Sequence, residues 1–372
     1  MVEQQILKLD TDYKALDRYL MEGGHSNILL VCGNSIKNFK LGAYFEKLEE
    51  RLPIRVIRFC DFNPNPDYES VVKGVELLNR EACTLIVAVG GGSAMDVAKC
   101  IKLYSNMEHS KNYLQQVIVP NDITLLAVPT TAGTGSEATR FAVIYYKGEK
   151  QSVADDSCIP STVIFEPSFL KTLPDYQRKS TMLDALCHAI ESYWSVHSTE
   201  ESRRNAKAAI QTIFYYKDAY LSNDDLGNAG MLQAANLAGK AINITQTTAG
   251  HAMCYKLTGL YHISHGHAAA LCISQLLPYM IAHTEKCIDS RGAAYLQGIF
   301  VEIAEAMGGT CAIDAASIFS KLLTSLELEV PTAEEQDFVK LKNSVNPIRL
   351  KNNPIELDVE TIDWLYHQIL RR

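Results

Sequence analysis

The chain has 372 residues, enough for about two or three domains, and its 47% hydrophobic content can form sizeable cores. A formal net charge of −8 argues against a surface of clustered Lys and Arg, so we expect no nucleic-acid partner. The N-terminus lacks a signal-peptide pattern, no apolar stretch is long enough to span a bilayer, and the ten cysteines form no close pairs. We therefore expect a cytoplasmic protein with reduced thiols and no membrane partner.

The first half of the chain alternates short β-branched runs with amphipathic stretches. Strands are predicted at 28–33, 54–59, 84–91 and 123–131, and their nearly continuous apolar character is typical of a sheet covered on both faces. The segments between them, such as 68–81, have helical spacing. This alternation predicts an α/β fold with a doubly wound parallel sheet.

The character of the sequence changes at about residue 166, where the strand signal disappears and helical segments continue to the end. Helices are predicted at 183–194, 202–216, 227–242 and 293–307. We therefore expect a sheet domain over 1–166 and an all-helical domain over 167–372.

A glycine-rich loop follows the third predicted strand, in the segment VAVGGGSAMDVAK. The glycines at 90–92 would let the backbone approach a ligand closely. The spacing of Ser93 and Asp96 predicts a capping box, with the helix beginning at Ser93. The free N–H groups at that helix end suit an anion such as a dinucleotide pyrophosphate.

A second loop, VPTTAGTGSEATR, follows the fourth predicted strand and adds hydroxyl groups at the same carboxyl edge of the sheet, where ligands of such sheets bind. These hydroxyls belong to Thr130, Thr131, Thr134 and Ser136. The alternative is that both loops are simply tight turns. Neither loop has the G-x-G-x-x-G dinucleotide fingerprint.

Six of the ten histidines lie between positions 188 and 267. In LDALCHAIESY, Asp184 and His188 are four residues apart, which places a carboxylate and an imidazole on one helix face. Further imidazoles follow at 251, 262, 265 and 267. One carboxylate with up to three imidazoles suits a divalent metal such as iron or zinc. The alternative for each histidine alone is an ordinary hydrogen-bonded core or surface residue.

Four motifs together resemble the iron-containing alcohol dehydrogenase family, over essentially the whole chain: GGGSAMDVAK, PTTAGTGSEAT, DALCHAIE at 184–191 and the HAM…HG stretch at 251–266. The resemblance implies that 1–166 binds a dinucleotide, that 167–372 binds a metal, and that the enzyme interconverts an aldehyde and an alcohol. It also implies iron(II), with zinc or manganese as alternatives, NAD(H) or NADP(H), and a homodimer or larger homo-oligomer.

Carried over position by position, the resemblance implies a set of metal ligands and a set of cofactor contacts. The metal ligands are Asp184, His188, His251 and His265, because the spacing from 251 to 265 matches that of the family's last two ligands. The cofactor contacts are Gly91, Gly92, Ser93, Asp96, Thr130, Thr131, Thr134 and Ser136, with Lys150 at a ribose. His262 and His267 are then not ligands.

Two departures from the family's pattern concern the proton and the cofactor. Many members have a second histidine where this chain has Tyr255, so the proton could come from solvent, Tyr255 or His267. Many NAD-dependent members have an acidic residue after the first strand, where this chain has Gly33. We therefore expect NADP(H) to be accepted as well as NAD(H).

The substrate is the least determined feature of the sequence. Arg140, Lys256 and His262 are cationic or hydrogen-bonding groups near the predicted site, which favours an aldehyde with an anionic tail. The stretch from 241 to 271 also resembles phosphonoacetaldehyde reductases, and sulfoacetaldehyde reductases are similar. The alternatives are a structural salt bridge for Arg140, a general short-chain alcohol dehydrogenase, a dehydroquinate-synthase-like metal enzyme, and a non-catalytic sensor.

Overall fold

The computed structural model describes residues 4–371 and contains two compact units. The first unit runs to Thr131 and includes Ser136–Thr172, while the second comprises Ala132–Gly135 and the chain from Leu173 onward. The division after Thr172 differs from the boundary expected after residue 166, because Phe169 packs into the core of the first unit.

A parallel six-stranded sheet forms the centre of the first unit, in the order β1-β8-β5-β4-β2-β3. The four strands predicted from the sequence are β2, β3, β4 and β5, so the α/β prediction is confirmed. The strands of this unit are β1 Gln5–Ile6, β2 Asn27–Cys32, β3 Arg55–Phe59, β4 Leu85–Gly90, β5 Thr124–Pro129, β6 Phe141–Tyr146, β7 Glu149–Ala154 and β8 Thr162–Val163.

Alternate residues of the central strands face two different hydrophobic cores, one on each side of the sheet. Leu29 and Val31 of β2 pack into one core, while Ile28 and Leu30 pack into the other. Helices cover both faces, so the central strands β2, β4 and β5 are buried along nearly their whole length, which explains their continuous apolar runs. These helices are α1 Lys14–Glu22, α2 Lys40–Glu46, α3 Tyr68–Arg80 and α4 Gly92–Tyr104.

Strands β6 and β7 form an antiparallel hairpin that the sequence analysis did not predict. Its two-residue turn, Lys147 and Gly148, has positive φ at both positions (53° and 80°), which is typical of tight hairpins. The sequence did contain a signal for this hairpin, because Gly148 lies in a short turn between two segments in which more buried and less buried residues alternate.

The second unit is helical, as predicted, and its helices extend further than the sequence indicated. The predicted helix at 183–194 begins at Asp175, and its residues from 182 onward are buried on all sides, so it lacks the polar stripe that marks a surface helix. Among the described residues, no helix is both long and apolar enough to cross a membrane. The helices are α5 Asp175–Trp194, α6 Glu200–Leu221, α7 Asp225–Thr245, α8 Ala249–Tyr261, α9 His265–Ala282, α10 Ala293–Ala306, α11 Ala312–Ser325, α12 Glu335–Ser344, α13 Pro347–Leu350 and α14 Val359–Ile369.

Candidate active site

The glycine loop joins β4 directly to α4, as expected, but the predicted capping box is wrong. The helix begins at Gly92 with Gly91 as its N-cap, and no side chain caps it. The Asp96 carboxylate instead accepts a hydrogen bond from the Ser136 hydroxyl at 3.1 Å, so it is drawn away from the helix start. The first N–H groups of α4 therefore have no side-chain cap, which leaves them suited to an anionic ligand.

The loop after β5 lies beside the glycine loop. The Thr130 N–H donates to the Gly90 carbonyl at 3.0 Å, and a Cβ added to Gly91 would lie 3.2 Å from the Thr131 side chain. Only a residue without a side chain allows this close approach. The structure thus places Gly91, Gly92, Thr130 and Thr131 at one edge of the sheet.

A buried lysine that the sequence analysis did not single out organises the same region. Lys99 is fully buried, and its ammonium donates to the Ser136 hydroxyl at 3.1 Å and to the Thr139 carbonyl at 2.7 Å. Burial raises the pKa of Asp96 to about 6, although the charges of Lys99 and Lys150 oppose this. Lys150 therefore lies within electrostatic reach of the loop, on β7.

Within the second unit, three side chains converge at one point. Asp184 and His188 project from adjacent turns of α5, and His251 projects from the first turn of α8. One potential ligand atom from each lies within 4.8 Å of the others, and all three residues are buried. Within the described chain, Asp184 Oδ1, His188 Nδ1 and His251 Nε2 have no hydrogen-bond partner. Unpaired buried polar atoms are costly, and a divalent cation is the group that this donor set fits.

Glu191 supports this cluster, and the sequence analysis gave it no role. It is fully buried one turn beyond His188, and its Oε1 accepts from the backbone N–H groups of Thr248 (3.1 Å) and His251 (3.3 Å). These are free N–H groups at the start of α8, so Glu191 caps that helix. Its Oε2 accepts from the His251 ring at Nδ1, which leaves Nε2 directed toward Asp184 at 3.6 Å. The D-x-x-x-H-x-x-E spacing, which places all three side chains on one face of α5, was the available signal.

The charges in this cluster favour a cation at its centre. Burial alone would lower the pKa of His251, but the carboxylates of Glu191 and Asp184 raise it to about 9. Burial lowers the pKa of His188 to about 4, against the attraction of Asp184. Burial would raise the pKa of Asp184, yet the neighbouring imidazoles bring it well below its ordinary value. The ionised Asp184 thus lies at a position that a metal ion can occupy in place of a proton, while Glu191 binds the Nδ1 side of the His251 ring.

His265, the fourth expected ligand, lies beside this cluster but is not one of the three converging residues. Its ring centroid is 5.3 Å from that of His251, and its charge acts on Asp184. The Tyr255 ring stacks on the other side of His265, with centroids 5.4 Å apart. Cys254 Sγ lies 3.6 Å from His265 Nδ1. The ligand role of His265 stays a prediction.

The remaining predicted residues occupy different environments. His267 is buried, with Nδ1 3.2 Å from the Tyr176 hydroxyl, and burial lowers its pKa to about 4. Lys256 and His262 are exposed, and His262 adopts a left-handed conformation after α8. Arg140 lies 3.5 Å from Asp156 within the first unit.

Thr134 and its neighbours belong to the second unit, apart from the rest of their loop. Gly135 there has φ of +58°, and an added Cβ would lie 2.5 Å from the Ala235 carbonyl oxygen, so glycine is required for this loop to pack against α7.

Comparison with known proteins identifies the family of this chain. The family model described as iron-containing alcohol dehydrogenase matches residues 5–167, and that of the family's C-terminal domain matches residues 179–370. The chain belongs to the iron-containing alcohol dehydrogenase family. It is therefore an oxidoreductase, and enzymes of this family use a metal and NAD(H).

Two relatives and one solved structure illustrate the range of the family. A choline dehydrogenase of Bacillus subtilis is 31% identical, over 92% of this chain and 88% of its own. A phosphonoacetaldehyde reductase of Streptomyces viridochromogenes is 30% identical, over 80% of this chain and 79% of its own. The NAD+ complex of sulfoacetaldehyde reductase from Bifidobacterium kashiwanohense is 25% identical, with a TM-score of 0.85 over 99% of this chain and 97% of that one. The chain also matches longer aldehyde-alcohol dehydrogenases, and it spans only about a third of their length. For the Entamoeba histolytica protein the matched share is 32%.

Proposed function

We propose that this protein is a metal-dependent, NAD(P)H-linked reductase of small aldehydes. The observation that carries the proposal is the convergence of Asp184, His188 and His251, whose buried polar atoms have no partner in the described chain. With His265, these residues would hold iron(II), with zinc or manganese as alternatives. The loops after β4 and β5, with Ser93, Ser136 and Lys150, would hold the dinucleotide.

The chain's own residues would prepare both halves of the reaction. When bound, the divalent cation would supply a Lewis acid for the substrate oxygen, and the reduced nicotinamide would supply hydride. Glu191 holds the Nδ1 proton of His251, so that Nε2 stays free to act as a ligand. Tyr255 keeps its proton near neutral pH, because burial raises its pKa, so its phenol can donate to a substrate oxygen. His267 and solvent are the other proton sources that we consider.

The favoured substrate is a two-carbon aldehyde with an anionic tail. Sulfoacetaldehyde would give isethionate, and phosphonoacetaldehyde would give 2-hydroxyethylphosphonate. The relatives named for these two aldehydes support the proposal, whereas the choline dehydrogenase makes a cationic alcohol the competing candidate. We further propose a cytoplasmic homodimer or larger homo-oligomer that accepts NADP(H) as well as NAD(H).

A panel assay tests the proposed function. NAD(P)H oxidation is followed with sulfoacetaldehyde, phosphonoacetaldehyde and propanal, and NAD(P)+ reduction is followed with choline, each before and after metal removal. We expect a chelator to abolish turnover and iron(II) or zinc to restore it, with the anionic aldehydes preferred. Unchanged turnover by the metal-stripped enzyme would contradict the metal role. Preference for choline would contradict the anionic tail, and NADPH efficiency below about a hundredth of that for NADH would contradict the dual cofactor use.

A further inference from the structure

Arg349 lies against the part of the second unit that carries the metal cluster, and the sequence analysis did not single it out. It is part of α13, and its guanidinium donates to the side-chain oxygen of Gln246. Nearby, the Asn352 side chain donates to the Thr247 carbonyl at 3.0 Å. These bonds attach the segment to the connection between α7 and α8, immediately before the helix that bears His251.

The charge of Arg349 has no acidic partner among the ion pairs found in residues 4–371. The side chain is half-buried, and its recorded partner, Gln246, is neutral. A guanidinium carries five N–H donors in a planar fork, and a single amide oxygen satisfies only part of them. Among the described residues, no Arg349 nitrogen is buried without a partner, so its remaining N–H groups are open to solvent and available to an anion.

The charge of Arg349 also acts on Tyr255, whose ring stacks on a histidine beside the cluster. Burial raises the pKa of Tyr255, while the positive charge of Arg349 lowers it, so the guanidinium acts on this phenol. The Tyr255 ring is stacked on His265 at a centroid distance of 5.4 Å, and His265 is 5.3 Å from His251. All of these residues belong to the second unit.

We propose that Arg349 binds the anionic tail of the substrate of this same site, a sulfonate or phosphonate whose aldehyde end faces the metal ligands. The inference rests on the proposed reductase function. A guanidinium fork matches two oxygens of a tetrahedral oxyanion, and the same charge repels a quaternary ammonium tail such as that of choline. The earlier candidates are less suited, because Arg140 already pairs with Asp156 and because Lys256 and His262 are exposed.

The test compares Arg349→Gln with Arg349→Lys and with Lys351→Gln, which removes an exposed neighbouring charge from the same segment. KM and kcat are measured with sulfoacetaldehyde, phosphonoacetaldehyde and propanal. Binding of ethanesulfonate and ethylphosphonate, which carry the tails without the aldehyde, is measured by calorimetry on the holoenzyme. We expect Arg349→Gln to raise KM for the anionic aldehydes and the tail-analogue Kd by roughly 10- to 100-fold, the range of a charge-assisted bond, and to change the kinetics with propanal much less. Arg349→Lys should recover part of the loss, and Lys351→Gln should behave as wild type.

The outcomes separate this inference from the proposed function. If propanal suffers as much as the anionic aldehydes, or if tail-analogue binding is unchanged in Arg349→Gln, the assignment of Arg349 is overturned. The same holds if Arg140→Gln, and not Arg349→Gln, produces the selective loss. If the wild-type enzyme reduces no aldehyde, the proposed function fails, and the calorimetry still decides whether Arg349 binds the anion. The two tail analogues distinguish sulfonate from phosphonate.

Discussion

Replacing Glu191 with Gln should weaken metal binding without removing any metal ligand. Both carboxylate oxygens of Glu191 accept hydrogen bonds, Oε1 from the N–H groups of Thr248 and His251 and Oε2 from the His251 ring. A glutamine must turn its NH2 group toward one of these two sets of donors. In one orientation the glutamine NH2 group faces the N–H of the His251 ring, and in the other it faces the backbone N–H groups at the start of α8. The first orientation disfavours the tautomer of His251 that leaves Nε2 free. The second keeps that tautomer but leaves the first N–H groups of α8 without their acceptor, so the backbone that positions His251 is less firmly held.

The expected size of this effect follows from the role of groups that orient metal ligands. Loss of such a partner lowers metal affinity by roughly 10- to 100-fold, or about 1.4–2.7 kcal/mol. Zinc affinity of the stripped protein is measured by competition with a chromophoric chelator, and the His251 tautomer is read from histidine nitrogen chemical shifts of the zinc-loaded enzyme. Glu302→Gln is the matched control. Glu302, on α10, accepts a 2.6 Å hydrogen bond from Tyr193, which lies on α5 like Glu191, but Glu302 is not one of the converging residues. Equal zinc affinity in Glu191→Gln and wild type, or an equal loss in Glu302→Gln, would refute the reasoning.

Three further predictions concern the first unit. Gly33→Asp should lower the efficiency with NADPH by roughly 10- to 100-fold relative to NADH, because a Cβ there meets nothing within 4 Å and the new carboxylate would repel a ribose phosphate. Arg58→Gln should lower NADPH affinity, because the positive charge of Arg58 acts on Cys32, the residue before Gly33, against the rise in the Cys32 pKa that burial causes. Steady-state kinetics with both cofactors would contradict both expectations if the NADPH/NADH ratio did not change. Asp96 should make the protein less stable as pH rises from about 4 to about 6, because its pKa is raised from 3.8 to about 6 and the folded state therefore binds the proton more tightly than the unfolded chain does. Asp96→Asn should remove this loss, so the difference in melting temperature shifts in favour of the variant between about pH 4 and about pH 6 and stays level above that. A constant difference across the whole range would contradict the assignment.

The parts of this fold that follow from local sequence could be predicted, and they include the shared helix face of two of the three converging residues. The continuous apolar runs of β2 and β4 identify buried strands, because both faces of each strand meet a core. Asp184 and His188 share a helix face through their spacing alone. Glu191 shares that face too, but its partners lie 57 and 60 residues further along the chain, so no local pattern shows what its carboxylate accepts.

The charge that we propose to select the substrate is harder to predict from sequence than the convergence of Asp184, His188 and His251. Arg140 was predicted to bind an anionic substrate because it follows the PTTAGTGSEAT motif. In the structure it pairs with Asp156, which lies 16 residues later in the chain. Arg349 adjoins no motif, and its hydrogen bond spans 103 residues to Gln246. What distinguishes the two guanidiniums is the presence or absence of a carboxylate in the folded chain, which depends on tertiary contacts. A cationic side chain therefore indicates an anionic substrate only when no carboxylate of the protein pairs with it. Among the described residues, Arg349 has no such carboxylate, whereas Arg140 pairs with Asp156.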